Sequence, residues 1–179
     1  MDVIHVVLFI HLAAMVGLFS ALTLEGVTLR FLRRSTSYEQ AREWIGAWRL
    51  LPALGAPALV IGLASGIYLA TALGLWTFGW TRMAVPTMVV VAILGAMLGP
   101  HRKRVQTAIG SHTGVLPLDL QAQLRHPLDT ASWRMRAAVL LGLMFEMTLK
   151  TDAGLLTMAP FAFVGVVGAA AAWKRGGNE

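Results

Sequence analysis

Cysteine is absent from this 179-residue chain, which excludes disulfides, thiolate metal sites and cysteine redox chemistry. Charge is scarce too: Asp, Glu, Lys and Arg make up 13%, where a soluble domain carries about a quarter. Acidic residues are the rarer sign, nine against fifteen basic ones. Phosphate-binding loops, nucleophile elbows and the HExxH zinc pattern are missing, as are repeats and low-complexity segments. A removable leader is not indicated, because Met1-Asp2 offers no basic n-region and the first apolar stretch is too long for an h-region. What remains is a membrane class: 56% of the residues are hydrophobic and mean hydropathy is +0.66.

Windows of about 19 residues predict five transmembrane helices. They cover Val3–Leu29, Leu50–Leu75, Met83–Gly99, Trp133–Leu149 and Ala153–Trp173. The fourth carries Arg134 and Arg136 near its start, which would have to snorkel toward the interface. With the N-terminus outside, five spans put thirteen of the fifteen basic residues on the inner side, leaving only Arg82 and Lys150 opposite. That asymmetry predicts an N-out/C-in, multi-pass, all-α bundle forming a single domain over residues 1–179, in a bacterial cytoplasmic (inner) membrane. The formal charge of +6 and pI near 10.8 then point to anionic headgroups of the lipid bilayer rather than to nucleic acid.

Between the first two spans, Ser37 precedes a run that reads as an interfacial helix with Trp44 and Trp48 as anchors. Pro52 and Pro57 predict a kinked start to span two. Small residues at four-residue spacing recur as Gly17/Ala21, Gly62/Gly66, Gly95/Gly99 and Gly165/Ala169, a pattern that favours close helix packing within the chain. Residues 101–131 read as a long cytoplasmic loop. It opens with His101-Arg-Lys-Arg104, a topogenic and lipid-binding patch, and holds a short amphipathic helix over Pro117–Arg125 lying on the surface. Asp129-Thr130 is a candidate cap for the fourth helix.

Ionisable groups inside a span mark the place to look for function. His11 and Glu25 lie fourteen residues apart in span one, on one face and about 21 Å apart along the axis. His11 belongs to the outer half with Glu146 and Lys150, an i,i+4 pair in span four. Asp2, Arg82 and Asp152 would complete an outer polar cluster. Glu25 belongs to the inner, basic rim and reads as an anchor. Three roles compete for His11. It would serve as an axial ligand of haem b, as a proton or quinol relay with Glu146, or as a hydrogen bond across the bundle. A second axial ligand within the chain would have to be His5 or a methionine such as Met15; otherwise a partner subunit supplies it. Met144 and Met147 flank Glu146, and their thioethers with His11 and Met15 form a candidate Cu(I) set.

The residues Ile10-His11-Leu12, Gly17 and Glu25-Gly26, then Gly66-Ile-Tyr-Leu-Ala70, then His126-Pro127 through Arg136 and Gly142–Lys150 carry a family resemblance. Over about residues 4–152 the chain resembles an uncharacterised bacterial family of integral membrane proteins distantly similar to the copper-resistance protein CopD. A weaker similarity is to HemJ-type protoporphyrinogen oxidases, whose first helix carries a haem-associated histidine that His11 matches. That family's third-helix lysine falls at Arg82, and its Asn-Glu-x-Pro motif is missing here. The resemblance implies a helical membrane protein with a tetrapyrrole or redox role at His11. The alternatives are a non-catalytic small subunit of a larger complex, or a copper or proton-coupled transporter. Short loops and small-residue faces predict a homo-oligomer or other membrane subunits as partners.

Overall fold

In lipid a backbone must satisfy its own hydrogen bonds, so long apolar runs are expected to form helices. The computed structural model describes residues 2–150 and 155–176, and these are all-α. Their only extended pairing is an isolated antiparallel bridge between Ser37 and Val115. The helices are α1 (Val3–Leu32), α2 (Tyr38–Ala72), α3 (Gly79–Ala96), α4 (Gly99–Ile109), α5 (Leu118–Leu124), α6 (Pro127–Leu149) and α7 (Leu155–Gly176), with a 3-10 turn at Leu75–Thr77. Three segments are long and apolar enough to cross a bilayer: Val3–Leu32, Tyr38–Ala72, and α3 with α4 as Gly79–Ile109. The apolar stretch in α7, Met158–Lys174, is shorter. The first residues of the predicted fifth span, and Asp152, lie outside the described residues.

α1 and α2 form an antiparallel pair along most of their length. A Cβ on Gly17 would lie 3.4 Å from that of Ala58, and one on Gly55 would lie 3.5 Å from that of Ala21. α6 and α7 pair the same way, with Gly142 against Phe161 and Gly165 against Met135 and Ala138. The small residues are therefore used inside the chain, where they let backbones approach. Large apolar side chains turn outward, with Phe9 72% and Phe163 69% exposed. Such a surface suits lipid and not water.

Several expectations change. The helix that carries span two starts well before Leu50. Ser37 caps α2 by accepting from the Gln40 amide at 3.3 Å, and the helix then runs for 35 residues through Pro52 and Pro57. Residues 101–109 are not loop but α4, started by Pro100 in its first turn, a position where a missing N–H costs nothing.

α5 forms where expected, but it does not lie on a surface. Leu116, Leu120 and Leu124 recur every four residues and are buried against Leu32, Val105 and Ile109. Each contributes about 1.5–3 kcal/mol by that burial. Leu118, on the other face, is 82% exposed. Trp48 is likewise buried in this core rather than anchored at an interface. A second core, higher in the bundle, joins Leu18 and Leu22 to Met88, Val91, Leu140 and Leu143.

Candidate functional site

Glu25 and His11, the two ionisable residues in the middle of α1, meet very different surroundings. Glu25 is 4% exposed and held by two arginines. Arg136 grips it as a fork, Nη1 donating to Oε2 at 2.9 Å and Nη2 to Oε1 at 2.5 Å. Arg102 Nη2 also donates to Glu25 Oε1. Arg102 continues the chain of charges, with its Nε 3.6 Å from Asp129 Oδ1 and its guanidinium 5.2 Å above the Trp48 ring. His101 Nε2 lies 3.2 Å from Asp129 Oδ2, and His126 packs against the His101 ring.

Two carboxylates and two guanidinia thus balance at the basic end and tie α1, α2, α4 and α6 together. Asp129 sits in the first turn of α6. Burial pushes its carboxyl above the ordinary range, against the opposing pull of His101, Arg102 and His126. Glu25 is an anchor, as expected, but through partners 77 and 111 residues away. Arg136 does not snorkel. Arg134 Nη1 donates to the Gly168 carbonyl of α7 at 2.7 Å. Thr130 caps no helix and instead accepts from Arg33.

His11 pins α1 to α2. Its Nδ1 lies 3.0 Å from the Gly62 carbonyl oxygen and 3.1 Å from Ser65 Oγ. A carbonyl can only accept, so Nδ1 carries the proton, and in the neutral ring the lone pair resides on Nε2. Glycine at 66 is what lets the ring in: a Cβ there would come within 3.1 Å of His11 Cε1.

Beside His11 a chamber of about 1180 Å³ opens between α1, α2, α3 and α6. Its walls are almost wholly apolar. Met15, Met144, Met147 and Lys150 line it with His11, so the structure gathers these five expected residues at one cavity. Trp80 and Thr81 of α3 also line it. Their Nε1 and Oγ1 atoms are buried and have no hydrogen-bond partner among the described residues. No spacing or motif in the sequence singled them out; a Trp and a Thr near an aromatic belt look like ordinary interface residues.

The other expected residues are placed elsewhere. His5 is not in the chamber wall; its ring stands outward, 3.7 Å from Asp2, with both side chains largely exposed. Glu146 is buried in the last turn of α6 and is not a wall residue. Its backbone carbonyl accepts from the Lys150 amide at 2.8 Å, where Lys150 ends the helix in the left-handed region at φ 53°. Arg82 is exposed and donates to the Thr77 carbonyl, so Asp2 and Arg82 do not converge on His11. Among the described residues, no three of His, Cys, Asp and Glu cluster as a metal site.

Comparison of the chain with protein-family models, curated proteins and solved structures gives no match.

Proposed function

We propose that this chain is a five-span protein of a bacterial inner membrane, N-terminus out and C-terminus in, that holds a large flat apolar ligand through His11. A tetrapyrrole, haem b, fits the donor set best. The observation that carries this reading is the contact of His11 Nδ1 with the Gly62 carbonyl beside the chamber. That carbonyl orients the ring, as in histidines that ligate metals. The chamber volume lies just above the range for small-molecule sites, as a large ligand requires. Trp80 Nε1–H and Thr81 O–H would donate to acceptor groups at the ligand's edge. Ligated haem would supply one-electron redox chemistry; the chain's own residues bind, orient and exclude water. The alternation of helix directions and the collection of basic residues at one end support the topology.

Protein purified in detergent from haem-replete cells is expected to show a Soret band that His11→Ala abolishes and Thr81→Ala weakens. A colourless preparation, or a band indifferent to His11, overturns the reading.

A second reading rests on the three thioethers sharing that wall. Met15, Met144 and Met147 with His11 form a soft set for Cu(I) in a copper transporter. Copper analysis separates the two readings. A Met15→Leu/Met144→Leu variant that loses bound Cu(I) while the protein lacks a Soret band favours the second.

A further inference from the structure

The basic end holds a concave site that the reading above does not use. The last turn of α1 and the turn that follows it carry Arg30, Arg33 and Arg34, and Arg125, the residue that ends α5, closes the other side. Together these four arginines line a pocket of about 320 Å³.

Two of the four are fixed. Arg33 Nη1 donates to Thr130 Oγ1 at 2.7 Å, and Arg125 Nε donates to the Arg33 carbonyl at 3.3 Å. Arg30 and Arg34 are exposed. None of the four pairs with a carboxylate among the described residues, whereas Arg102 and Arg136 have Glu25 and Asp129 beside them. Four like charges around one small cavity repel unless an anion joins them. Guanidinium forks match the oxygens of a phosphate in particular.

The pocket's neighbours indicate the source of that phosphate. One turn back along α1, Val27 and Phe31 are exposed and apolar, and Phe31 stacks on Trp44 at 4.2 Å. An apolar helix face running into an arginine pocket has the two-part chemistry of a phospholipid. We propose that Arg30, Arg33, Arg34 and Arg125 form a binding site for the phosphate of an anionic phospholipid, whose acyl chains lie along α1.

The test uses the full chain, delipidated in neutral detergent. Binding of phosphatidylglycerol, phosphatidylcholine and inorganic phosphate is measured by native mass spectrometry and by the shift in thermal midpoint. Phosphatidylglycerol is expected to bind and stabilise, and the other two to do neither. Arg30→Gln/Arg34→Gln, both exposed and without a structural hydrogen bond, should weaken phosphatidylglycerol binding roughly 30-fold. Lys103→Gln/Arg104→Gln, an equal loss of charge elsewhere at this end, should leave it unchanged. Inorganic phosphate matching phosphatidylglycerol would overturn the lipid as source while keeping the phosphate chemistry. Equal binding of both lipids, or equal weakening by the two double variants, would overturn the pocket itself.

Discussion

The two ends of the bundle are held together by different physics. At the basic end, core side chains interlock and the buried Glu25 carboxylate is held by two guanidinia. At the opposite end a chamber of about 1180 Å³ stands between α1 and α3, lined almost wholly by apolar side chains. A membrane helix bundle gains little from moving apolar groups out of lipid, so its order comes from packing and polar contacts. Concentrating both at one end leaves the other able to accept a guest. On the proposed reading the ligand is held by the half of α1 with the weaker scaffold, and each expectation below would break or sharpen that contrast.

The largest effect is expected at Glu25. Glu25→Ala leaves Arg136 buried without its counter-charge and removes one partner of Arg102. Breaking a buried pair from one side costs about 3–5 kcal/mol, which should appear as a large fall in the unfolding midpoint in detergent. A fall no greater than that of His11→Ala would mean that the two ends are equally held, and the contrast would fail.

Glycine substitutions compare the two ends directly. A Cβ on Gly26 would sit 2.5 Å from the Trp133 ring, and that ring is fixed by its Nε1–H donating to the Leu22 carbonyl at 2.8 Å. Gly26→Ala therefore overpacks a rigid contact and should cost about 1–3 kcal/mol. A Cβ on Gly62 would make ordinary contact with Ala14 and clash with the end of the Met15 side chain alone, which is flexible and has the chamber to move into. Gly62→Ala should cost less than about 1 kcal/mol. Equal losses in paired unfolding measurements would show the chamber wall to be as rigid as the basic end.

Much of this architecture was legible in the sequence. Hydropathy revealed the long helices, small-residue spacing their close faces, and the pattern over Pro117–Arg125 the existence of α5, though not that its leucines pack into the protein. The stripe joining His11 and Glu25 was legible as well, along with their assignment to different halves. Their partners were not. Arg102 stands among His101, Lys103 and Arg104, and Arg136 two residues from Arg134; nothing local tells which guanidinium turns inward, because a carboxylate 77 or 111 residues away decides it. Residues 101–109 read as loop because four polar residues in a row mask a helix whose buried side is only Val105 and Ile109. The chamber is the least legible feature, since it is space left between helices rather than a property of any residue.

His11 should matter more to ligand than to fold. Removing its two contacts with Gly62 and Ser65 costs about 1 kcal/mol by the usual worth of a hydrogen bond, while a ligand bound through Nε2 is lost entirely. Ser65→Ala removes one of the two contacts and leaves the carbonyl on Nδ1, so the tautomer persists. Ser65→Ala should therefore keep the Soret band that His11→Ala abolishes. A band lost in both would place the ligand's anchor at Ser65 and not at the imidazole.

The smallest effect concerns pH at the basic end. Burial raises the affinity of Asp129 for its proton in the folded state, so the folded form binds more protons than the unfolded one between the ordinary carboxylate range and the raised value. Stability from this group is then fully present below the ordinary range and is lost as pH rises through the raised value. The sign is opposite to that of a carboxylate whose pKa is lowered by its partners. Asp129→Asn removes the titration, so the wild-type advantage over the variant should be largest in acid and shrink with rising pH. Measuring both proteins in a His101→Gln background takes the neighbouring imidazole out of the comparison. An advantage that grows with pH would show that the pull of Arg102 outweighs burial, making the whole charged network a set of formed ion pairs with no proton stored at Asp129.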